Sequence, residues 1–138
     1  MDNRMAGLGD LKNCVSEYCT RYNIAEFEVS DGYRIHRDWP ADFPHGARPG
    51  CYAFFDDGGT LLYLGKASCG ANIGRRAGTR FRWNKEKECV EYTGWKKAWE
   101  HVTVLHTIPV HEAHQAPSLE EYLIERLHPV HNRSGRKG

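Results

Sequence analysis

The chain has 138 residues, 40% of them hydrophobic, and a formal net charge of +1, which fits one domain with a modest core. No run approaches the roughly 18 apolar residues of a membrane span, and MDNRMAGLGD lacks the apolar core of a secretory signal, so we expect a soluble, cytoplasmic protein. The five cysteines are odd in number and lack zinc-knuckle spacing, which disfavours a disulfide framework or a structural zinc site.

The N-terminal part of the chain predicts one helix and then an irregular segment. Leu8–Tyr22 carries apolar residues at helical spacing, with Asp10 as the expected N-cap. Residues 23–48 contain several prolines and glycines, which favour an irregular loop, either over the site or over the core. We therefore interpret residues 1–48 as a helix and an irregular extension packed on the core.

A β-hairpin is predicted next. Cys51–Phe55 and Leu61–Gly65 are short aromatic and branched runs, and DDGG between them is typical of a hairpin loop. Tyr52 and Tyr63 lie one in each strand, and whether they share a face depends on the register of pairing.

The second half of the chain predicts alternating helical and extended segments. They are a helix from Asn72 to about Trp83, a loop over residues 84–94, a short turn at Trp95–Glu100, a strand at His101–Val110, a helix from Pro117 to Pro129 and a flexible basic tail over 133–138. Glu120 and Glu121 are expected in the first turn of the last helix, where the helix dipole favours acidic side chains. The predicted fold is α+β, with a small, mostly antiparallel three-stranded sheet flanked by helices.

Several short motifs occur in a fixed order along the second part of the chain. They are GCY (Gly50–Tyr52), YLGKAS (Tyr63–Ser68), NIGRR (Asn72–Arg76) and EEYLIERLHPVHN (Glu120–Asn132). Together they resemble the GIY-YIG nucleases, with Cys51 and Leu64 in place of the two isoleucines. The resemblance covers about Pro49–Asn132 and implies a nuclease domain over residues 49–132.

The resemblance also implies site residues. The implied catalytic set is Tyr52, Tyr63, Lys66, Arg76, Glu120 and Asn132, with Glu120 as the ligand of Mg²⁺ or Mn²⁺. Arg76 fits the catalytic arginine better than Arg75, and Glu120 fits the metal glutamate better than Glu121. Tyr52 is the preferred general base, which requires either that its pKa fall from about 10 or that a nearby group accept its proton. Tyr63 then orients the water or the phosphate.

Basic charge is concentrated next to these motifs. Residues 66–99 have nine lysines and arginines against three glutamates, whereas residues 1–65 have six against ten acidic residues. Such asymmetry points to a polyanionic partner. We assign DNA contacts to Arg75, Arg80, Arg82, Lys96 and Lys97. Of the interleaved aromatic residues Phe81, Trp83, Trp95 and Trp99, we expect at least two in the core and ask whether another stacks on a base.

These inferences favour a metal-dependent endonuclease that hydrolyses DNA and needs no small-molecule cofactor. Selectivity for DNA structure or single strands, in repair, recombination or DNA uptake, is the preferred form. The rivals are a restriction endonuclease with recognition loops in residues 23–48 and 84–94, and a non-catalytic nucleic-acid-binding module with the same fold.

Overall fold

The computed structural model describes residues 5–93 and 100–132 and confirms an α+β fold. Its elements are α1 (Leu8–Arg21), β1 (Tyr33–Arg34), α2 (Ile35–Asp38), β2 (Gly50–Phe55), β3 (Leu61–Ala67), α3 (Ile73–Gly78), β4 (Phe81–Asn84), β5 (Cys89–Tyr92), β6 (Val104–Pro109) and α4 (Gln115–Leu127). Within the described residues, one antiparallel sheet has the order β1-β6-β2-β3, and β4 pairs with β5 in a second sheet.

The described main sheet has four strands where three were predicted. Tyr33 and Arg34 pair with Leu105 and Val104, so the segment predicted to be irregular contains a short strand and the short helix α2. Tyr33 and Ile35 are both buried, and their burial on the sheet offsets the cost of ordering this segment. The prolines that suggested a loop begin at Pro40, after both elements.

The segment after α3 also differs from its prediction. The predicted helix from Asn72 to Trp83 ends at Gly78, and a β4–β5 hairpin occupies much of the predicted loop over residues 84–94. Phe81 explains the change, since it pairs with Tyr92 and its ring packs 5.7 Å from that of Phe54. The turn predicted at Trp95–Glu100 lies almost wholly outside the described residues.

The N-cap of α1 and the start of α4 were predicted wrongly, whereas the start of α1 at Leu8 is confirmed. The N-cap of α1 is Gly7, and Asp10 is three residues further on, where its carboxylate accepts a hydrogen bond of 2.9 Å from the Gly7 N–H. Helix α4 begins at Gln115, so Glu120 and Glu121 lie in its second turn. The helix dipole therefore does not explain these glutamates, because its effect falls off beyond the first turn.

The main sheet separates two apolar layers. One face packs on α1 and α4 through residues such as Leu11, Leu64 and Leu119; the other packs on α3 and the β4–β5 hairpin. The five cysteines, all within the described residues, are free thiols, and three of them are buried. Within the same residues, no helix is long and apolar enough to cross a membrane.

Candidate active site

A cavity of about 320 Å³ lies beside β3, which is an edge strand of the described main sheet. It is lined by Tyr52, Tyr63, Lys66, Arg76, Thr79, Arg80 and Glu120. The cavity thus brings together the predicted catalytic residues with the exception of Asn132. Strands β2 and β3, helix α3 with the residues after it, and helix α4 each contribute to its wall.

The strand register places the two tyrosines on one face of the sheet. Tyr52 pairs with Gly65, and Tyr63 pairs with Phe54. The tyrosines are therefore diagonal neighbours, offset by two residues, and side chains two residues apart point to the same side of a strand. Tyr52 is 4% exposed, whereas Tyr63 is partly exposed at the cavity.

The glycines of both triplets leave room that side chains would fill. A Cβ at Gly65 would collide with Cζ and Oη of the Tyr52 ring, and a Cβ at Gly50 would collide with the Ile108 carbonyl oxygen of neighbouring β6. Gly65 therefore lets the Tyr52 ring lie across β3 and reach the cavity.

Replacing Gly65 with alanine is expected to destabilise the fold by about 1–3 kcal/mol, because the Tyr52 ring must leave its place. Urea unfolding of Gly65→Ala, alone and combined with Tyr52→Ala, measures the coupling. The loss should be smaller in the Tyr52→Ala background. Gly9→Ala is the control, since nothing lies within 4 Å of a Cβ there. Equal losses in the two backgrounds would contradict the proposed collision.

Burial dominates the electrostatics of the site. The pKa of the Glu120 carboxyl is raised by burial, although Lys66 and Arg76 act in the opposite direction. Burial, with Tyr63 as a further contributor, raises the pKa of Tyr52 to about 12. This contradicts the first of the two conditions for a Tyr52 base, a lowered pKa, so Tyr52 remains a protonated phenol near neutral pH.

Arg80 belongs to the cavity, although the sequence placed it only among DNA contacts. Its Nη2 donates a 3.3 Å hydrogen bond to the Tyr63 hydroxyl, and its guanidinium carbon lies 4.9 Å from the centre of the Tyr63 ring. Thr79 also lines the cavity and was not predicted. Thr79 and Arg80 follow Arg76 by three and four positions, so the predicted helix would have placed them on its face, and this spacing was the signal that was missed. In the structure α3 ends at Gly78, and both residues reach the cavity from the chain after it.

Asn132 binds the edge of β3 and is absent from the cavity wall. Its Nδ2 donates to the Leu64 carbonyl over 2.9 Å, and its Oδ1 accepts from the Leu64 N–H over 2.8 Å. The His131 N–H donates to the Leu62 carbonyl over 2.7 Å. The segment after α4 therefore satisfies backbone groups on both sides of Tyr63 and protects the strand edge.

In each pair of adjacent candidate residues, the one preferred from the sequence lines the cavity. Arg76 and Glu120 line it, whereas their exposed neighbours Arg75 and Glu121 do not. Of the remaining predicted DNA contacts, Arg82 is exposed on β4 and is not part of the cavity wall, and Lys96 and Lys97 fall outside the described residues.

The family model described as the UvrC-like GIY-YIG domain matches residues 48–133, which is more than half of the chain. The chain is a GIY-YIG family member. The predicted resemblance is confirmed, and with it a nuclease-type domain in general terms. A comparison with curated proteins gives no match.

Proposed function

We propose that this GIY-YIG protein is a metal-dependent endonuclease that hydrolyses DNA phosphodiester bonds. The observation that carries the proposal is the shared cavity, in which three cationic side chains and one carboxylate surround two phenols. A phosphodiester is anionic and gains charge during hydrolysis, so it needs positive groups around it and a group that accepts a proton from water.

The cavity residues fit a divalent cation such as Mg²⁺ or Mn²⁺. Glu120 offers one hard carboxylate ligand at the cavity wall, and the described residues contain no cluster of three metal-ligating side chains. Mg²⁺ is commonly held by one or two carboxylates, with waters and substrate phosphates completing its shell. When bound, the cation supplies Lewis-acid stabilisation of charge on the phosphate.

Arg76 and Lys66 are proposed to hold the scissile phosphate. Asn72 caps α3 by accepting a 2.8 Å hydrogen bond from the Arg75 N–H, which fixes the start of the helix that carries Arg76. The planar guanidinium of Arg76 can bind two phosphate oxygens at once. Lys66 adds a compact charge from the end of β3.

Tyr63 is proposed as the residue that takes the proton from the attacking water. Burial raises the pKa of Tyr52 to about 12, which favours Tyr52 as a hydrogen-bond donor and disfavours it as the base. Tyr63 is more accessible to water at the cavity, and the Arg80 guanidinium donates a hydrogen bond to its oxygen, which holds the phenol in place. The proposal therefore reverses the roles first assigned to the two tyrosines.

Tyr63→Phe is expected to lower the turnover number by roughly 10²-fold or more, the usual contribution of a general base. Tyr52→Phe removes a donor and should cost less. Single-turnover cleavage at saturating enzyme measures both variants. A larger loss in Tyr52→Phe would return the base role to Tyr52.

The cleavage panel that tests the function uses single-stranded, branched and fully paired DNA with Mg²⁺, with Mn²⁺ and with a chelator. Cleavage that requires metal supports the proposed endonuclease, and a preference for unpaired DNA supports a role in repair, recombination or DNA uptake. Discrete products at one sequence would support a restriction endonuclease. Binding without cleavage under every condition would support a non-catalytic module.

A further inference from the structure

We propose that the β4–β5 hairpin is a base-stacking arm, in which Trp83 packs on an unpaired base close to the scissile phosphate. The inference rests on the proposed function and names its substrate class: DNA with an unpaired base near the point of cleavage.

The hairpin is a direct continuation of the cavity wall. Thr79 and Arg80 line the cavity, and β4 begins at the next residue, Phe81. Phe81 is 6% exposed and packs on Phe54, whose ring lies 5.7 Å from that of Tyr52. The base of the arm is thus fixed to the strand that carries a tyrosine of the cavity.

Trp83 projects beyond this anchor. It lies two residues after Phe81, on the same side of the strand, yet it is 42% exposed. Trp83 follows Arg80 by three positions, and three steps of extended chain span about 10 Å. This corresponds to about three stacked nucleotides at 3.4 Å each. Because Arg80 lines the cavity in which the phosphate is proposed to bind, a base about three nucleotides from that phosphate is the expected partner of the Trp83 ring.

The charge around Trp83 suits a nucleic-acid strand. Residues 66–93 have seven lysines and arginines against three glutamates. On the hairpin, Arg82 and Lys87 both face Glu91, at 3.9 and 3.7 Å, and their side chains are 72% and 71% exposed. The Glu91 side chain is 28% exposed, but both cations are exposed and the contacts are long, so the pairs are weak and phosphates can compete with the carboxylate. Arg82 lies on the opposite side of β4 from Trp83, so the hairpin presents an aromatic ring on one side and cationic charge on the other, and both groups are of the kind that single-strand binding uses.

Selectivity follows from what the ring can contact. Both faces of a base inside a duplex are covered by its neighbours, so Trp83 can stack only on a base that is unpaired or at an end. Stacking of this kind changes affinity by about 5- to 150-fold. The cationic groups contribute a sequence-independent attraction to phosphates that a fully paired duplex and a duplex with one unpaired base share.

The test compares two DNA probes in the presence of a chelator, so that binding is measured without cleavage. One is a fully paired duplex, and the other carries a single unpaired 2-aminopurine. Trp83→Ala should bind the unpaired probe about 5- to 150-fold more weakly and lose quenching of 2-aminopurine, with little change on the duplex. Trp83→Phe should retain part of both signals. Arg82→Ala is the matched control and should weaken both probes equally.

The outcomes separate this inference from the proposed function. An equal loss of affinity for both probes in Trp83→Ala, or unchanged quenching of 2-aminopurine, overturns the stacking arm even if the wild-type protein cleaves DNA. If Trp83→Ala loses affinity only for the unpaired probe and the wild-type protein cleaves no DNA, the stacking arm is supported and the proposed endonuclease is overturned. Absence of binding to either probe by the wild-type protein overturns the arm. Thermal unfolding of each variant verifies that this exposed side chain was changed without loss of the fold.

Discussion

Glu120→Gln is expected to lower the turnover of DNA cleavage by on the order of 10³-fold, since metal-assisted charge stabilisation is worth several kcal/mol. The substitution preserves the size of the side chain and removes its charge. DNA affinity should be unchanged or higher, because the cavity loses its carboxylate and keeps Lys66, Arg76 and Arg80. Single-turnover cleavage in Mg²⁺ measures the rate, and fluorescence anisotropy in a chelator measures the affinity.

Glu121→Gln is the matched control for this experiment. Glu121 is adjacent in the sequence, exposed, and absent from the cavity wall, so its variant should cleave DNA at a rate close to that of the wild-type protein. Full activity in Glu120→Gln, or a comparable loss in both variants, would contradict the assignment of Glu120 as the metal ligand.

Glu120→Gln should also be more stable than the wild-type protein at neutral pH when a chelator is present. Burial raises the pKa of Glu120 in the folded state, so ionisation is less favourable there than in the unfolded chain. The stability linked to this group is full below the unfolded pKa of about 4.3 and is lost as pH rises through the folded pKa. The gain in melting temperature for Glu120→Gln should therefore shrink as the pH falls toward 4. A constant gain would contradict this origin.

Asn132→Ala is expected to destabilise the fold by about 2–4 kcal/mol, because it leaves the N–H and the carbonyl of Leu64 without their side-chain partner. Tyr63 lies next to Leu64 on β3, so its position and DNA cleavage should suffer together with stability. Urea unfolding measures the free energy, and cleavage is measured at a temperature where the variant is folded.

Asn72→Ala is the comparison for that experiment. Asn72 is an N-cap with one side-chain hydrogen bond, to the Arg75 N–H, and its loss should cost about 1 kcal/mol. If Asn132→Ala kept full stability and lost cleavage, Asn132 would act on the substrate and not on the strand edge.

The sequence was most informative where local pattern and burial agree. The β2–β3 hairpin was predicted because aromatic and branched residues flank the DDGG loop. The structure confirms the hairpin, and its register places the two tyrosines on one face of the sheet. The start of α3 was likewise signalled by Asn72, which caps it. Both features depend on contacts between residues close in sequence.

The errors arose where distant contacts decide. Pairing of Tyr33 with Leu105 adds a strand, and packing of Phe81 on Phe54 turns a predicted helix into a hairpin. Neither contact has a local signature. The place of Arg80 beside Tyr63 and the raised pKa of Tyr52 also depend on tertiary burial, which spacing alone does not specify.

The pairing of Asn132 with Leu64 bears on the order in which the domain is completed during translation. Its two hydrogen bonds join residues separated by 68 positions, and α4 with Glu120 emerges from the ribosome only shortly before Asn132. At about 5–20 residues per second, the β2–β3 hairpin with the two tyrosines is synthesised several seconds before Glu120 and Asn132. A nascent or truncated chain that ends before α4 lacks Glu120, the proposed metal ligand, so we expect such a chain to lack the proposed DNA cleavage.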